Sequence, residues 1–268
     1  MKIGVVISTY NNPRWLEKTL WGYLHQWRKA DEIIIADDGS ADETRALIDS
    51  FRNRLPIKHV WHPDNGFQKN AILNKALAAA ESEYLIFTDQ DLVPRNDFVA
   101  THQLYAEKGY FLSGGCIRLP MDVSEAITED DIASGRAFRL SWLHNHGLKP
   151  GWKNSKLLQV PLFSRLMNRI TPRKATWNGG NASGWREDML RLNGFNEQMR
   201  YGGEDREFGE RMFNLGIKSK QICYSAITLH LDHARPYVDK ALVEKNRATV
   251  KAARRSGIVE TPWGLKES

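Results

Sequence analysis

A chain of 268 residues, 41% of them hydrophobic, is long enough to bury a full core, as one large α/β domain or two closely packed halves, and needs neither metal nor disulfide merely to fold. Two cysteines, Cys116 and Cys223, exclude a disulfide framework or a Cys-rich zinc site and fit a reducing compartment. The net charge of +6 asks for an anionic partner, whether nucleic acid, membrane surface or phosphorylated substrate, and the nine Trp serve equally as core or as stacking platforms for sugars and bases.

The chain opens with Ile3-Gly4-Val5-Val6-Ile7-Ser8, too short an apolar run for a signal segment. Nowhere does it approach the roughly 20 apolar residues of a membrane span, so a soluble or peripheral, cytoplasmic protein is expected. Strand patterns over 3–8, 32–37, 57–61, 84–89 and 111–117 alternate with amphipathic helical stretches, which predicts a mostly parallel sheet with helices on both faces. The first helix starts after Asn11-Asn12-Pro13, an Asn cap with proline in the first turn. In open α/β sheets ligands bind beyond the carboxyl ends of the strands. That rule singles out Thr9-Tyr10-Asn11, Asp37-Asp38-Gly39-Ser40 and Asp89-Gln90-Asp91.

From 132 to 186 there is no acidic residue, while Arg136, Arg139, Lys149, Lys153, Lys156, Arg165, Arg169, Arg173 and Lys174 accumulate. Within this stretch Pro161 can open a helix with Leu162, Phe163, Leu166, Met167 and Ile170 on one face. Such a helix is either a basic amphipathic element that meets a membrane surface or acceptor, or an ordinary core-facing helix with a solvated basic side. The stretch 238–255 is again helical and basic, ending at Ser256-Gly257.

Several residues can carry chemistry. Asp89 and Asp91, on alternate residues at a strand end, can direct one carboxylate at a hydroxyl or nucleotide group and the other at a hard divalent cation, although turns and helix caps use the same triplet. Asp37 and Asp38 can accept hydrogen bonds from a base or ribose, with Gly39 permitting a tight turn. Glu204 and Asp205 open a helical stretch, where acids serve as caps or, buried beside a hydroxyl, as a general base. His230 and His233 can share one metal if the backbone turns between them.

In their order along the chain these motifs resemble family 2 glycosyltransferases with a galactosyltransferase-like C-terminal segment. Val5-Val6-Ile7-Ser8-Thr9-Tyr10-Asn11, Asp37-Asp38-Gly39-Ser40, Asp64-Asn65-Gly66-Phe67 with Asn74, and Thr88-Asp89-Gln90-Asp91 match the nucleotide-binding half. Trp177-Asn178-Gly179-Gly180-Asn181-Ala182-Ser183, Leu192-Asn193-Gly194-Phe195-Asn196-Glu197 and Gly202-Gly203-Glu204-Asp205, followed by His230 and His233, match the second half. The resemblance covers about residues 3 to 235.

It implies a GT-A fold, α/β with a mostly parallel central sheet flanked by helices and a C-terminal helical extension. Residues 1–120 would form the nucleotide-sugar-binding half, 121–235 the acceptor-binding and catalytic half, and 236–268 the extension. Thr9, Asp37, Asp38, Asn74, Asp89 and Gly180 would bind the nucleotide sugar. Asp91, His230 and His233, the last followed by Ala234-Arg235, would hold Mn2+ or Mg2+. Asp205 would be the general base and Glu204 would orient hydroxyls. Leu73 stands where family members often have an arginine, so a cationic contact to the donor must come from elsewhere.

The implied reaction is inverting transfer of a hexose or N-acetylhexosamine from a nucleotide-diphosphate donor, a UDP-sugar first, to a glycan or glycolipid acceptor in bacterial surface polysaccharide or lipopolysaccharide synthesis. Residues 149–174 would make any peripheral contact with the inner face of the cytoplasmic membrane, and no nucleic acid is expected as partner. A sugar-nucleotide pyrophosphorylase needs a glycine-rich basic loop after the first strand, and a dehydrogenase needs G-x-G-x-x-G; neither is present. A processive synthase normally carries Q-x-x-R-W and membrane spans. A basic carbohydrate- or nucleic-acid-binding module explains the charge but gives no reason for acids at several strand ends.

Overall fold

The expected alternation runs unbroken through Asp89 in the computed structural model, which describes residues 1–172, 174–234 and 239–267. Arg173, Arg235 and the first residue of the stretch 238–255 lie outside the described residues. Strands β1 (Ile3–Thr9), β2 (Glu32–Asp37), β3 (Ile57–Trp61) and β4 (Tyr84–Asp89) alternate with helices α1 (Pro13–Leu24), α2 (Asp42–Phe51) and α3 (Lys69–Ala79). Asn12 caps α1 by accepting the Trp15 N–H, with Pro13 as its first residue. The four strands lie parallel in the order β3-β2-β1-β4.

Side chains alternate between faces, and both faces are covered. Val5, Ile7, Ile33 and Ile35 pack with Leu16, Leu20, Ile48 and Phe51 of α1 and α2. Val6, Ile34, Leu85 and Phe87 pack with Ile72, Ala76 and Leu77 of α3. A strand buried on both sides has no polar position, hence the unbroken Ile33-Ile34-Ile35.

Beyond Asp89 come β5 (Leu92–Pro94), α4 (Phe98–Tyr105), β6 (Tyr110–Ser113) and β7 (Gly115–Arg118). The single strand expected over 111–117 is thus two strands in two sheets. The break falls at Gly114, where a Cβ would lie 2.0 Å from the Asn181 side chain. That amide donates to the Gly115 and Ala226 carbonyls and stitches the sheets together. After α5 (Met121–Ala126), α6 (Glu129–Ala133), α7 (Leu140–Asn145) and α8 (Pro161–Ile170) come β8 (Asn181–Trp185), α9 (Arg186–Arg191), α10 (Glu204–Asn214), β9 (Lys218–Gln221), β10 (Ile227–His230) and α11 (Lys240–Ser256). The main sheet is seven-stranded, β3-β2-β1-β4-β8-β6-β9, with β8 antiparallel to both neighbours; a small sheet, β5-β10-β7, stands beside it.

Helix α8 corrects the core-facing reading. Ser164 is its buried residue, the Asn168 amide accepts the Tyr224 N–H and donates to Ser225 Oγ, and the half-buried Phe163 meets the Tyr224 ring edge-on, so a mixed side faces the protein and only part of the apolar face does. Leu162, Leu166 and Ile170, one stripe at four-residue spacing, are 78%, 55% and 56% exposed. Among the described residues no helix is long and apolar enough to cross a membrane. Helix α11 packs on α10, with the Arg254 guanidinium on Glu210 and the Asn246 amide donating to the Arg200 and Tyr201 carbonyls.

Candidate active site

The carboxyl ends of β1 and β4 and the amino ends of α3 and α10 converge on a cleft of about 520 Å3, lined among others by Thr9, Asp38, Lys69, Asp89, Asp91 and Asp205. Asp89 ends β4 on the cleft floor. One carboxylate oxygen accepts the Ser8 hydroxyl at 2.6 Å and meets the Lys69 ammonium at 2.6 Å. Burial disfavours the Asp89 charge, but Lys69 outweighs it and holds this carboxyl below the usual range. Burial likewise disfavours the Lys69 charge, and Asp89, Asp205 and Glu204 together hold it well above that of an ordinary lysine.

Asp91 lies where β4 passes into β5. The β5–β10 pairing sets His230 opposite Leu92, and the Leu231 N–H donates to the Asp91 carbonyl. The turn after His230 is pinned by the Trp15 indole N–H, which donates to the Asp232 carbonyl, and by the Asp232 N–H, which donates to Ser124 Oγ. The pinned turn brings both imidazoles onto one carboxylate, with His233 Nε2 2.7 Å and His230 Nε2 3.7 Å from Asp91 Oδ2. The potential ligand atoms of the three residues lie within 4.8 Å of one another.

The chemistry of this set fits a divalent cation. Each histidine Nδ1 faces a carbonyl, of Leu231 at 3.0 Å and of Ala234 at 2.9 Å, and so carries the proton. Both Nε2 atoms thus turn toward the Asp91 carboxylate, and two ring nitrogens and a carboxylate oxygen converging on one point are a donor set that a divalent cation takes. The other oxygen, Asp91 Oδ1, is buried without a hydrogen-bond partner.

Asp205 sits in the first turn of α10, after Gly202 and Gly203, both at positive φ. Burial first, and then the charge of Glu204, push its carboxyl up to about 7 against the opposing pull of Lys69. Oδ1 has no hydrogen-bond partner. A Cβ on Gly179 would stand 2.5 Å from that atom, so only glycine lets the 179–180 turn press against it. A Cβ on Gly180 would likewise come within 3.1 Å of Asp89 Oδ2. Glu204 accepts the Gly202 N–H and lines the cleft.

At the other end Thr9 Oγ1 donates to Gln90 Oε1 at 2.5 Å, and the Tyr10 hydroxyl reaches Asp64 across the rim at 2.9 Å. Asp38 lines the cleft while pairing with His62 at 2.7 Å and accepting the Gln68 N–H.

Two expected donor contacts lie elsewhere. Asp37 is fully buried, its carboxylate accepting the Ser40 N–H and meeting His59 at 2.8 Å, so Asp38 is the acid of that turn that faces the cleft. Asn74 is also fully buried. It accepts the Phe195 N–H and donates to the Phe195 carbonyl and Glu197, so it ties α3 to the 192–197 loop and stays outside the cleft. Sequence reading missed Lys69, although it carried a signal. A lysine opening a helix whose first turn holds no acid opposes the helix dipole, a placement that calls for a partner outside the helix. Leu73, at the arginine position, belongs to the core, and Lys69, one turn earlier, brings the cation to the cleft.

Residues 4–169 match the model of the family Glycosyl transferase family 2, and residues 167–234 match the N-terminal domain of galactosyltransferase. Chondroitin synthase of Escherichia coli is 30% identical over an alignment of 245 positions that covers 82% of this chain and 33% of that protein. The chain thus spans about a third of that relative. Among solved structures, S. aureus TarS 1-349 in complex with UDP-GlcNAc superposes with a TM-score of 0.66 at 15% identity, over 100% of this chain and 69% of that one. A mannosyltransferase from Pyrobaculum calidifontis in complex with GDP-Man and Mn2+ gives 0.56 at 17% identity, over 96% and 72%.

Proposed function

The chain belongs to glycosyl transferase family 2 and has the GT-A fold, and from that premise we propose that it is an inverting, metal-dependent glycosyltransferase acting from a nucleotide-diphosphate sugar onto a glycan. One observation carries the reading: Asp89, Lys69, the Asp91-His230-His233 cluster and an Asp205 whose carboxyl titrates near neutrality all open into one cleft.

Thr9 and Asp38 hold the nucleoside end of the donor, and Asp89, beside Gly180, takes its ribose or sugar hydroxyls. Asp91, His230 and His233 hold the cation; one carboxylate with two imidazoles suits Mn2+ better than Mg2+, which prefers an all-oxygen octahedron. A cation there supplies positive charge where the leaving diphosphate gathers negative charge. Asp205 accepts the proton of the acceptor hydroxyl as that oxygen bonds to the anomeric carbon. The bond from carbon to phosphate oxygen breaks on the opposite face, its electron pair leaving with the nucleoside diphosphate, so the configuration inverts. Lys69 keeps Asp89 charged, and Glu204 orients the hydroxyls.

The uridine diphosphate sugars are the first candidates for donor, a hexose or N-acetylhexosamine for the transferred unit, and surface polysaccharide or lipopolysaccharide of a bacterium for the product. The outward stripe of α8, with Arg165 and Arg169 on its flank, suits peripheral contact with an anionic membrane on the cytoplasmic side. Incubating the protein with UDP-, GDP- and dTDP-sugars, with and without Mn2+, tests the reading. Slow, Mn2+-dependent release of one nucleoside diphosphate is expected, and no release from any donor makes the protein a carbohydrate-binding module instead.

A further inference from the structure

A second basin of about 570 Å3 adjoins the cleft and shares Asp89, Arg118 and His230 with it. Arg118, Lys153, Lys156 and Lys174 stand around it, and Asp89 is the one acid on its lining. That acid is already matched by Lys69 at 2.6 Å. Among the described residues none of the four cations forms an ion pair; Lys174 lies 4.1 Å from the Phe213 ring and Lys153 5.9 Å from Trp152. Lys153, Lys156 and Lys174 line the basin and not the donor cleft; Asn178 and Gly180 line it too, and between them Gly179 presses on Asp205 Oδ1, so the edge of the basin adjoins the base. The basin also carries neutral hydrogen-bonding groups: Asn178, which donates to Ser113 Oγ, and Gln221, whose buried Oε1 has no partner.

A neutral sugar seated there strips water from several like-charged side chains and returns nothing, whereas an acidic one compensates them. We propose that this basin is the acceptor subsite and that it selects a glycan carrying an acidic group, a carboxylate or a phosphate, next to the hydroxyl that is glycosylated. The inference rests on the transferase reading, which sets the reacting carbon beside the basin. Gln221 and Asn178 take the sugar hydroxyls and the three lysines take the acid.

Calorimetric titration of the full chain with three probes tests it: a hexuronate-containing tetrasaccharide, the same tetrasaccharide with its carboxyls reduced to alcohols, and a polyol-phosphate oligomer. Each is titrated with and without saturating UDP and Mn2+, at two salt concentrations. At least one acidic probe binds about tenfold or more tighter than the neutral one, because three exposed pairs act together. The preference shrinks with salt, falls in Lys174→Ala and falls further in Lys153→Ala/Lys156→Ala, and the two acidic probes show which acid is read. Equal binding of neutral and acidic probes overturns the proposal, as does an acidic preference that is undiminished in both variants. So does a weakening of UDP binding in the variants in place of acidic-probe binding, which assigns the lysines to the donor's phosphates. Absence of UDP binding counts against the transferase reading alone, since the probes are also titrated without nucleotide.

Discussion

Asp89 and Asp205 share one cleft and one cation, Lys69, yet their surroundings drive them in opposite directions. Asp89 touches the ammonium and a hydroxyl and stays charged, whereas Asp205, buried beside Glu204 with one oxygen unpartnered, rises to about 7, where a carboxylate is a useful base. Asp205→Asn is expected to lower turnover by roughly 10²–10⁴ while UDP affinity stays near normal, and wild-type kcat/KM is expected to climb as pH passes about 7. The same shift acts on stability with a definite sign. A folded-state value raised above that of an ordinary aspartate, about 3.9, gives stability that is complete below the ordinary value and lost as pH rises through about 7. Metal-free melts should therefore find Asp205→Asn more stable than wild type by a few degrees at pH 8 and little changed near pH 4; an equal gain at both pH values refutes the assigned titration. The motifs D-x-D, G-G-E-D and H-x-x-H were legible because their spacing is local. Lys69, and the choice of Asp38 over Asp37, were hidden because tertiary approach decides which side chain faces the cleft.

Elements were legible where burial set a strict period and illegible where the chain changes sheet or turns its pattern outward. The strand expected over 111–117 carries Ser113-Gly114-Gly115 in its middle, and the approach of Asn181 to Gly114, distant in sequence, divides it there. That division matters to the site, because β7 and β5 flank β10 and so fix His230. In α8 periodicity identified the helix but not its direction, since an apolar stripe reads alike whether a core or a surface covers it. Ser164 and Asn168 are the residues that fasten it, and Leu162, Leu166 and Ile170 are left outward. Leu162→Glu/Leu166→Glu is expected to change folding stability by no more than about 0.5 kcal/mol, since neither side chain is buried. It should abolish co-sedimentation with phosphatidylglycerol vesicles, which wild type binds more strongly than phosphatidylcholine and less strongly at high salt, each basic residue adding about 1 kcal/mol at an anionic surface. Unchanged vesicle binding in the double variant removes α8 from the membrane, and wild-type dimers that the variant dissolves assign the stripe to a second copy of the chain.

Across the whole molecule the site belongs to neither half of the chain. The floor comes from β4, Asp91 from the step into β5, both imidazoles from β10 and the turn behind it, Asp205, the proposed base, from α10, and its opposing cation Lys69 from α3. Alternation of strands and helices made the first half readable as a nucleotide-binding sheet. The second half was readable only through motif order, because β8 inserts antiparallel and the small sheet gathers strands of three or four residues from distant parts of the chain. On the proposed reading such a site couples metal to nucleotide: Asp91 and the two histidines lie on the cleft that Thr9 and Asp38 line, so each bound ligand would lessen the electrostatic cost of the other. UDP and Mn2+ together are therefore expected to raise Tm by more than the sum of their separate shifts, with a hundredfold excess over Kd adding about 2.7 kcal/mol, several degrees for a chain of this size. His230→Ala and His233→Ala should each cut the Mn2+-dependent part and spare the UDP-alone shift. Strict additivity in wild type means that cation and diphosphate do not meet. A synergistic shift with guanosine or thymidine diphosphate, and none with UDP, keeps the architecture and replaces the donor.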